Sequence, residues 1–356
     1  MPDRSRAIAD LRDKLDSKGM FGLVKAFPAH MADAWDRGRR FSSGLERARV
    51  SRVVVCGMGG SAIGADMVRS FLGNELSVPI HVSRFYDVPA ALRRDSFFVF
   101  SSYSGNTAET LAAYDLVRAG GSPSAAITTG GELGARCRRD GVPVCEIPGG
   151  MPPRAAIAYT FFPLLHVLAA LGAARTDEDG FAEAVRAVET RCGEYSAEDA
   201  PNEALRIAET LSGRMPYVFS RGGLFDAVAR RWSCQFNENA KTLAHYAVFT
   251  EPNHNEIMGW ERRAPWHERI VAVSLEDEED HPAAVEQARI ALGIIQPLAG
   301  GVVRVASSPG NRLARILSAM ILGDFASVYL AYLNGVDPTP ISVIDTLKDR
   351  LRESAG

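Results

Sequence analysis

Short apolar runs that pass through glycine- or hydroxyl-rich loops into helices constrain this chain more than any other feature. RVVVCGMGGSAIGADMVRSFL (52–72) and SFFVFSSYSGNTAETLAAYDLVRAG (96–120) both follow that plan. PIHVSRFYDVP, SAAITTGGELGARCRRD and PVCEIPGG add further short runs with helical stretches between them. Strands that alternate with helices imply parallel pairing, because a parallel neighbour needs a crossover rather than a hairpin. The plan begins again at PYVFSRGGLFDAVARRWSCQFNENAK, and ERIVAVSLEDEE and GGVVRVAS supply later strands. Val53 and Val218 stand at matching points, so a weak duplication is read at a spacing of about 165 residues. The expectation is an α/β chain of two flavodoxin-like, doubly wound domains, covering 1–165 and 166–356, with the break inside 150–180. Residues 5–48 read as helical from their apolar spacing, and 178–213 likewise.

Composition narrows the class. At 356 residues and a net charge near −3, with no basic block, the chain does not read as a nucleic-acid binder. The five cysteines are scattered and form no CxxC pair, which fits reduced thiols in the cytoplasm better than a disulfide framework or a zinc site. The N-terminus lacks the apolar core of a signal peptide, and no apolar run is read as membrane-spanning. The acidic run Glu276–Asp280 reads as a solvated loop, and the apolar stretch 313–333 as core or as an interface between subunits.

Two loops carry the chemistry. CGMGGSAIGAD has Gly57, Gly59 and Gly60 between strand and helix, but Ala62 stands where a dinucleotide fingerprint has its third glycine. No acidic residue closes the next strand either. SSYSGNT gathers Ser101, Ser102, Ser104 and Thr107 around Gly105 at a helix start. One N-cap needs one hydroxyl. The surplus, with the loop N–H groups and the helix dipole, suits a phosphate monoester. Neither loop has the lysine of a Walker P-loop, which favours a sugar phosphate over a nucleoside triphosphate. Thr107 or a neighbour is expected to cap the helix. In the second half, NENAK holds Glu238 near a helix end between Asn237 and Asn239, two side chains able to orient a carboxylate. His254 lies in a polar, proline-bearing loop, and His245 is assigned to helix surface.

VVVCGMGGSAIGAD followed by SSYSGNTAET resembles the sugar isomerase (SIS) domain. QFNENAK and EPNHNEIMGW, with a lysine in the last helix, narrow the resemblance to the bifunctional phosphoglucose/phosphomannose isomerases. The resemblance implies two SIS-like domains and an aldose–ketose isomerisation of glucose 6-phosphate or mannose 6-phosphate to fructose 6-phosphate. It implies Glu238, His254 and Lys348 as catalytic residues. It also implies Gly60, Ser61, Ser102, Ser104, Thr107 and Arg154 as substrate contacts. No cofactor, metal, nucleic acid or membrane is implied. A homodimer is, with His254 supplied across its interface. The TEPN lead-in to His254 departs from the more apolar one expected there. Two other readings stay open: an isomerase of another phosphosugar, and a phosphosugar sensor without catalysis, against which Glu238, His254 and Lys348 argue.

Overall fold

The computed structural model describes residues 2–45, 50–197 and 202–355. Residues 46–48 and 198–201 of the helical readings lie outside them. The first sheet consists of β1 (Arg52–Cys56), β2 (Ile80–Ser83), β3 (Ser96–Ser102), β4 (Ser124–Thr128) and β5 (Val144–Glu146). Its order is β2-β1-β3-β4-β5, with every neighbouring pair parallel. The second sheet consists of β6 (Met215–Ser220), β7 (His245–Val248), β8 (Ile270–Glu276) and β9 (Gly301–Ala306), in the order β7-β6-β8-β9 and again parallel. Each sheet starts at its second position and reverses direction beside its first strand, the flavodoxin-like arrangement. Val53 and Val218 lie on β1 and β6, the corresponding strands of the two halves.

Alternation explains why these short runs are strands buried on both faces. Val53 and Val55 join one hydrophobic cluster, while Val54 and Cys56 join another on the opposite face. Phe97 and Val99 divide from Phe98 and Phe100 in the same way. In the second sheet Val271, Val273 and Leu275 face the first cluster, and Ala272 faces a third, beneath the helix Pro282–Ile295. One cluster therefore runs through both halves, from Val53 to Val218 and Phe325.

The helix Arg312–Leu333 is long and apolar enough to cross a membrane, which the sequence reading missed, and it is buried inside the protein. Residues 313–332 are all buried, so this helix is core rather than an interface. The helix Ile157–Ala170, which contains position 165, packs on Phe27–Ser42 and Gly59–Leu72 beside the first sheet. β7 was not anticipated. His245, its first residue, is exposed on a strand rather than a helix and lies against the Tyr217 ring at 5.0 Å.

His166, on the Ile157–Ala170 helix, is buried 4.5 Å from the Trp35 ring, and its Nε2 has no hydrogen-bond partner. Burial pulls its pKa down from 6.5 to about 4. Below pH 6.5 the unfolded chain protonates this ring and the folded chain does not. Its contribution is thus complete above pH 6.5 and is lost as pH falls towards 4, costing roughly 3 kcal/mol. Urea unfolding at successive pH values should show that slope, and His166→Leu should flatten it. An unchanged slope in the variant would assign the pH dependence to other groups.

Candidate functional site

The glycine and hydroxyl loops meet where β1 and β3 end side by side, Cys56 opposite Phe100. The Tyr103 N–H donates to Ser61 Oγ at 3.2 Å, stitching one loop to the other. Gly105 has a φ of 71°, and a Cβ there would come within 1.9 Å of the Gly130 carbonyl, so only glycine fits. Ser102 is buried, Thr107 half-buried and Ser104 exposed. The expected cap is not made. Thr107 occupies the N-cap position, but its hydroxyl pairs with Ser102 Oγ at 2.9 Å. The first N–H groups of the helix Ala108–Ala119 are thus left without a side-chain cap, beside a hydroxyl pair. That arrangement suits an anion better than a capped helix would. The remaining hydroxyl, Ser101, is buried without a partner.

A third segment closes on the same edge. Tyr103 accepts the Met151 N–H at 3.0 Å through its hydroxyl, and a Cβ on Gly60 would lie 3.0 Å from the Pro153 carbonyl. The next residue is Arg154, 3% exposed. Its Nε donates to Asn239 Oδ1 at 2.5 Å, and its Nη2 donates to the carbonyls of Pro338 at 2.7 Å and Thr339 at 2.9 Å. Its Nη1 reaches Glu238 Oε2 at 3.4 Å. A guanidinium has five N–H donors. Four are engaged, one of them by this long contact, and one Nη1–H is left without an acceptor among the described residues. Burial lowers the Arg154 pKa, opposed by the Glu238 carboxylate.

Glu238 ends the helix Asp226–Glu238, with its side chain 30% exposed. Neither flanking asparagine holds its carboxylate, contrary to expectation. Asn237 donates to the Ser233 and Ala244 carbonyls, fixing the helix end, and Asn239 holds Arg154. Behind them is a buried polar network. Arg231 donates to both Asp324 oxygens, at 3.1 and 2.7 Å, and to the Arg154 carbonyl at 2.8 Å. Gln235 also donates to Asp324, and Asn239 to Ser327. Burial raises the Asp324 pKa, opposed chiefly by Arg231. The sequence reading missed these supports, since a buried Asp in an apolar helix announces no partner.

The other two expected catalytic residues stand apart. The helix Asp226–Glu238 returns from β6 towards the start of β7, whereas His254 follows the end of β7, and it is exposed. The strand between is roughly 10 Å long at ~3.3 Å per residue. No contact joins His254 to Glu238 among the described residues. Lys348 is exposed on the helix Ser342–Ala355, which begins just past the Thr339 carbonyl held by Arg154. Val343, Leu347 and Leu351 are exposed on that helix as well.

The matching edge of the second sheet carries different chemistry. A cavity of about 500 Å³ lies there, lined by Arg221, Gly222, Asp226, Asp280 and Arg312, together with Arg69 of the first half. The run Glu276–Asp280, expected to be solvated, is instead an ion-pair latch. Asp277 is buried against Arg315, Glu279 pairs with Arg312 and Arg315, and Glu276 pairs with Arg221. Arg312 also donates to the Phe71 carbonyl across the two halves at 2.7 Å. Where β3 leads into hydroxyls, β8 leads into paired acids. An anion is favoured at the first edge only.

Comparison with known proteins supplies the family. The family described as "Bacterial phospho-glucose isomerase C-terminal SIS domain" matches residues 200–351. A bifunctional phosphoglucose/phosphomannose isomerase of Caldicellulosiruptor bescii is 37% identical over 336 residues, covering 94% of this chain and 99% of the relative. The chain belongs to the bifunctional phosphoglucose/phosphomannose isomerase family. Another member, from Aquifex aeolicus, is 30% identical over 85% of this chain and 91% of its own. Solved structures more distant in sequence share the fold of the family. A hypothetical protein of Thermus thermophilus aligns at a TM-score of 0.77 with 17% identity, covering 100% of this chain and 95% of that one. A tagatose-6-phosphate ketose/aldose isomerase of Escherichia coli aligns at 0.67 with 13% identity, covering 91% and 97%. Family membership makes the chain a sugar-phosphate isomerase.

Proposed function

We propose that the protein interconverts glucose 6-phosphate and mannose 6-phosphate with fructose 6-phosphate through a cis-enediol, acting as a homodimer. The observation that carries this reading is one continuous edge. It runs from the Ser102–Thr107 hydroxyl pair through Gly60 and Pro153 to Arg154 and Glu238.

The phosphate docks on Ser102, Ser104, Thr107 and the uncapped helix N–H groups, with Gly60 and Ser61 in the adjoining loop. Anchoring that end fixes C1 and C2 and removes much of the entropic part of the barrier. Glu238 takes the C2 proton of the open aldose while the C1 carbonyl becomes an enediolate oxygen. That oxygen carries the new charge, and the free Nη1–H of Arg154 faces it. Returning the proton to C1, as the C2 hydroxyl passes its own to the oxygen on C1, yields the ketose. Glucose and mannose phosphates differ at C2 alone, and the planar intermediate erases that difference. One base therefore serves both.

Ring opening is assigned to His254 and Lys348 by family resemblance. An imidazole suits this step because it exchanges protons near neutral pH. The separation of His254 from Glu238 along β7 supports a histidine supplied by a second copy of the chain. Every step is proton transfer between organic groups, so the route calls for no metal.

A coupled assay for fructose 6-phosphate, starting from each aldose with EDTA present, tests the reading. Activity on neither substrate would sink it, and activity abolished by EDTA would sink the metal-free route. Ser104→Ala should raise KM roughly tenfold, with kcat little altered, because one hydrogen bond to a charged group is lost. An unchanged KM would remove Ser104 from the cradle.

A further inference from the structure

Lys241 stands three residues past Glu238, and its side chain closes back on the same helix end. Its Nζ lies 3.0 Å from the Glu238 carbonyl and 3.3 Å from that of Asn239. On the other side it lies 2.7 Å from the Asp337 carbonyl and 3.2 Å from that of Pro338. Its backbone is left-handed, with φ at 52°, shared among described non-glycine residues with Asp95 alone. An L-residue adopts this geometry at a cost, which the local contacts must offset.

The four carbonyls fall into two pairs. Glu238 and Asn239 belong to the last turn of a helix, where carbonyls lack intrahelical partners. Asp337 and Pro338 belong to the segment leading into the helix of Lys348. The Pro338 carbonyl is also held by Arg154 Nη2. Arg154 and Lys241 thus grip the same peptide from two sides, and Glu238 projects beside both.

We propose that Lys241 is a positioning residue of the isomerase, its ammonium clamping the Glu238 helix end to residues 337–338 and so aiming the Glu238 carboxylate relative to Arg154. The inference rests on Glu238 being the base. It assigns Lys241 no contact with substrate.

The clamp has a pH dependence. The charged groups around the ammonium are Arg154 from the first half, Glu238 at the end of the preceding helix and Asp337 from the facing segment. Desolvation and Arg154 lower its pKa from 10.5 to about 8, against the opposing pull of Asp337 and Glu238. The ammonium offers three N–H donors, whereas the neutral amine offers two and turns a lone pair towards carbonyl oxygens. The clamp is therefore whole below pH 8 and loosens as pH rises through that value. An arginine in its place stays charged throughout.

The test compares kcat and KM from pH 6 to pH 10 for the wild type, Lys241→Met and Lys241→Arg. At pH 7 Lys241→Met should lose about tenfold in kcat with a smaller change in KM, as expected for a misaimed base. Lys241→Arg should keep most of the turnover at pH 7, and the wild-type decline above pH 8 should move upward or vanish. A Lys241→Met enzyme with wild-type kcat and pH profile would overturn the inference. If that variant does not fold, Lys241→Arg decides alone, and an alkaline limb unmoved in it would overturn the inference equally. A Glu238→Gln control separates the two readings. Normal turnover in it removes the base and the inference together, whereas an inactive Glu238→Gln beside a normal Lys241→Met removes the inference alone.

Discussion

Glu238→Gln should lower kcat for both aldoses by about 10³-fold, or roughly 4 kcal/mol of barrier, while KM stays close to the wild-type value. Glutamine keeps the shape of the side chain and can still accept from Arg154 Nη1 through its amide oxygen, so the cleft keeps its form. What it lacks is a group able to take the C2 proton. Solvent-hydrogen exchange at C2, followed by NMR in D₂O, should stop together with turnover. If exchange persisted while net isomerisation failed, another group would be removing the proton. Near-normal turnover would remove Glu238 from the chemistry altogether. The effect should be the same for glucose and mannose phosphates, since the proposed route takes both through one enediol.

Asp324→Ala should produce the largest loss of stability among these changes. Asp324 is buried, accepts both arms of the Arg231 fork and also accepts from Gln235. Removing it strands a guanidinium in a dry interior, which typically costs about 3–5 kcal/mol. The damage should reach the site, because Arg231 also holds the Arg154 carbonyl. Denaturant unfolding reads the first effect, and turnover of the folded fraction reads the second. A double variant, Arg231→Met with Asp324→Leu, should recover much of the stability, since an apolar replacement can match a buried ion pair. It should not recover turnover, because the Arg154 carbonyl has lost its donor. A loss below about 1 kcal/mol for Asp324→Ala would mean that the pair is not desolvated as described.

The centre of the first sheet was legible because β1, β3 and β4 are largely apolar runs that end in glycine or hydroxyl clusters. That local signal needs no distant partner. β7 was not legible. Its four residues, HYAV, line the sheet edge with none of them fully buried, so they lack the apolar continuity that marks β6 and β8. The acidic run after β8 was misread for the opposite reason. Five charges in sequence look solvated, and nothing local shows Arg221, Arg312 and Arg315 closing on them.

The hydroxyl-rich loop proposed to hold the phosphate was legible in SSYSGNT, though not its geometry. Hydroxyls that would cap a helix in isolation pair with one another instead, leaving the helix end open. The meeting of Arg154 with Glu238 spans 84 positions, and no periodicity predicts it. Local pattern singled out Glu238 within NENAK, whereas Arg154 was supplied by family resemblance alone. Lys241 was in plain view within NENAK. A basic residue just past a helix end is a recognised carbonyl partner, but only the fold shows that it also reaches residues 337–338.

The core shared by the two sheets has a consequence for how substrate is admitted. Proteins that engulf a ligand by hinge closure keep a thin, wettable seam between their lobes. Here the helix Gly59–Leu72 lies against Asp226–Glu238, Arg230 reaches across to Asp66, and Arg312 grips Phe71. Swinging the sheets apart would wet that apolar seam and break those bonds. Substrate is therefore admitted without a swing of one sheet against the other, and Arg154 of the first half keeps its place against Glu238 of the second.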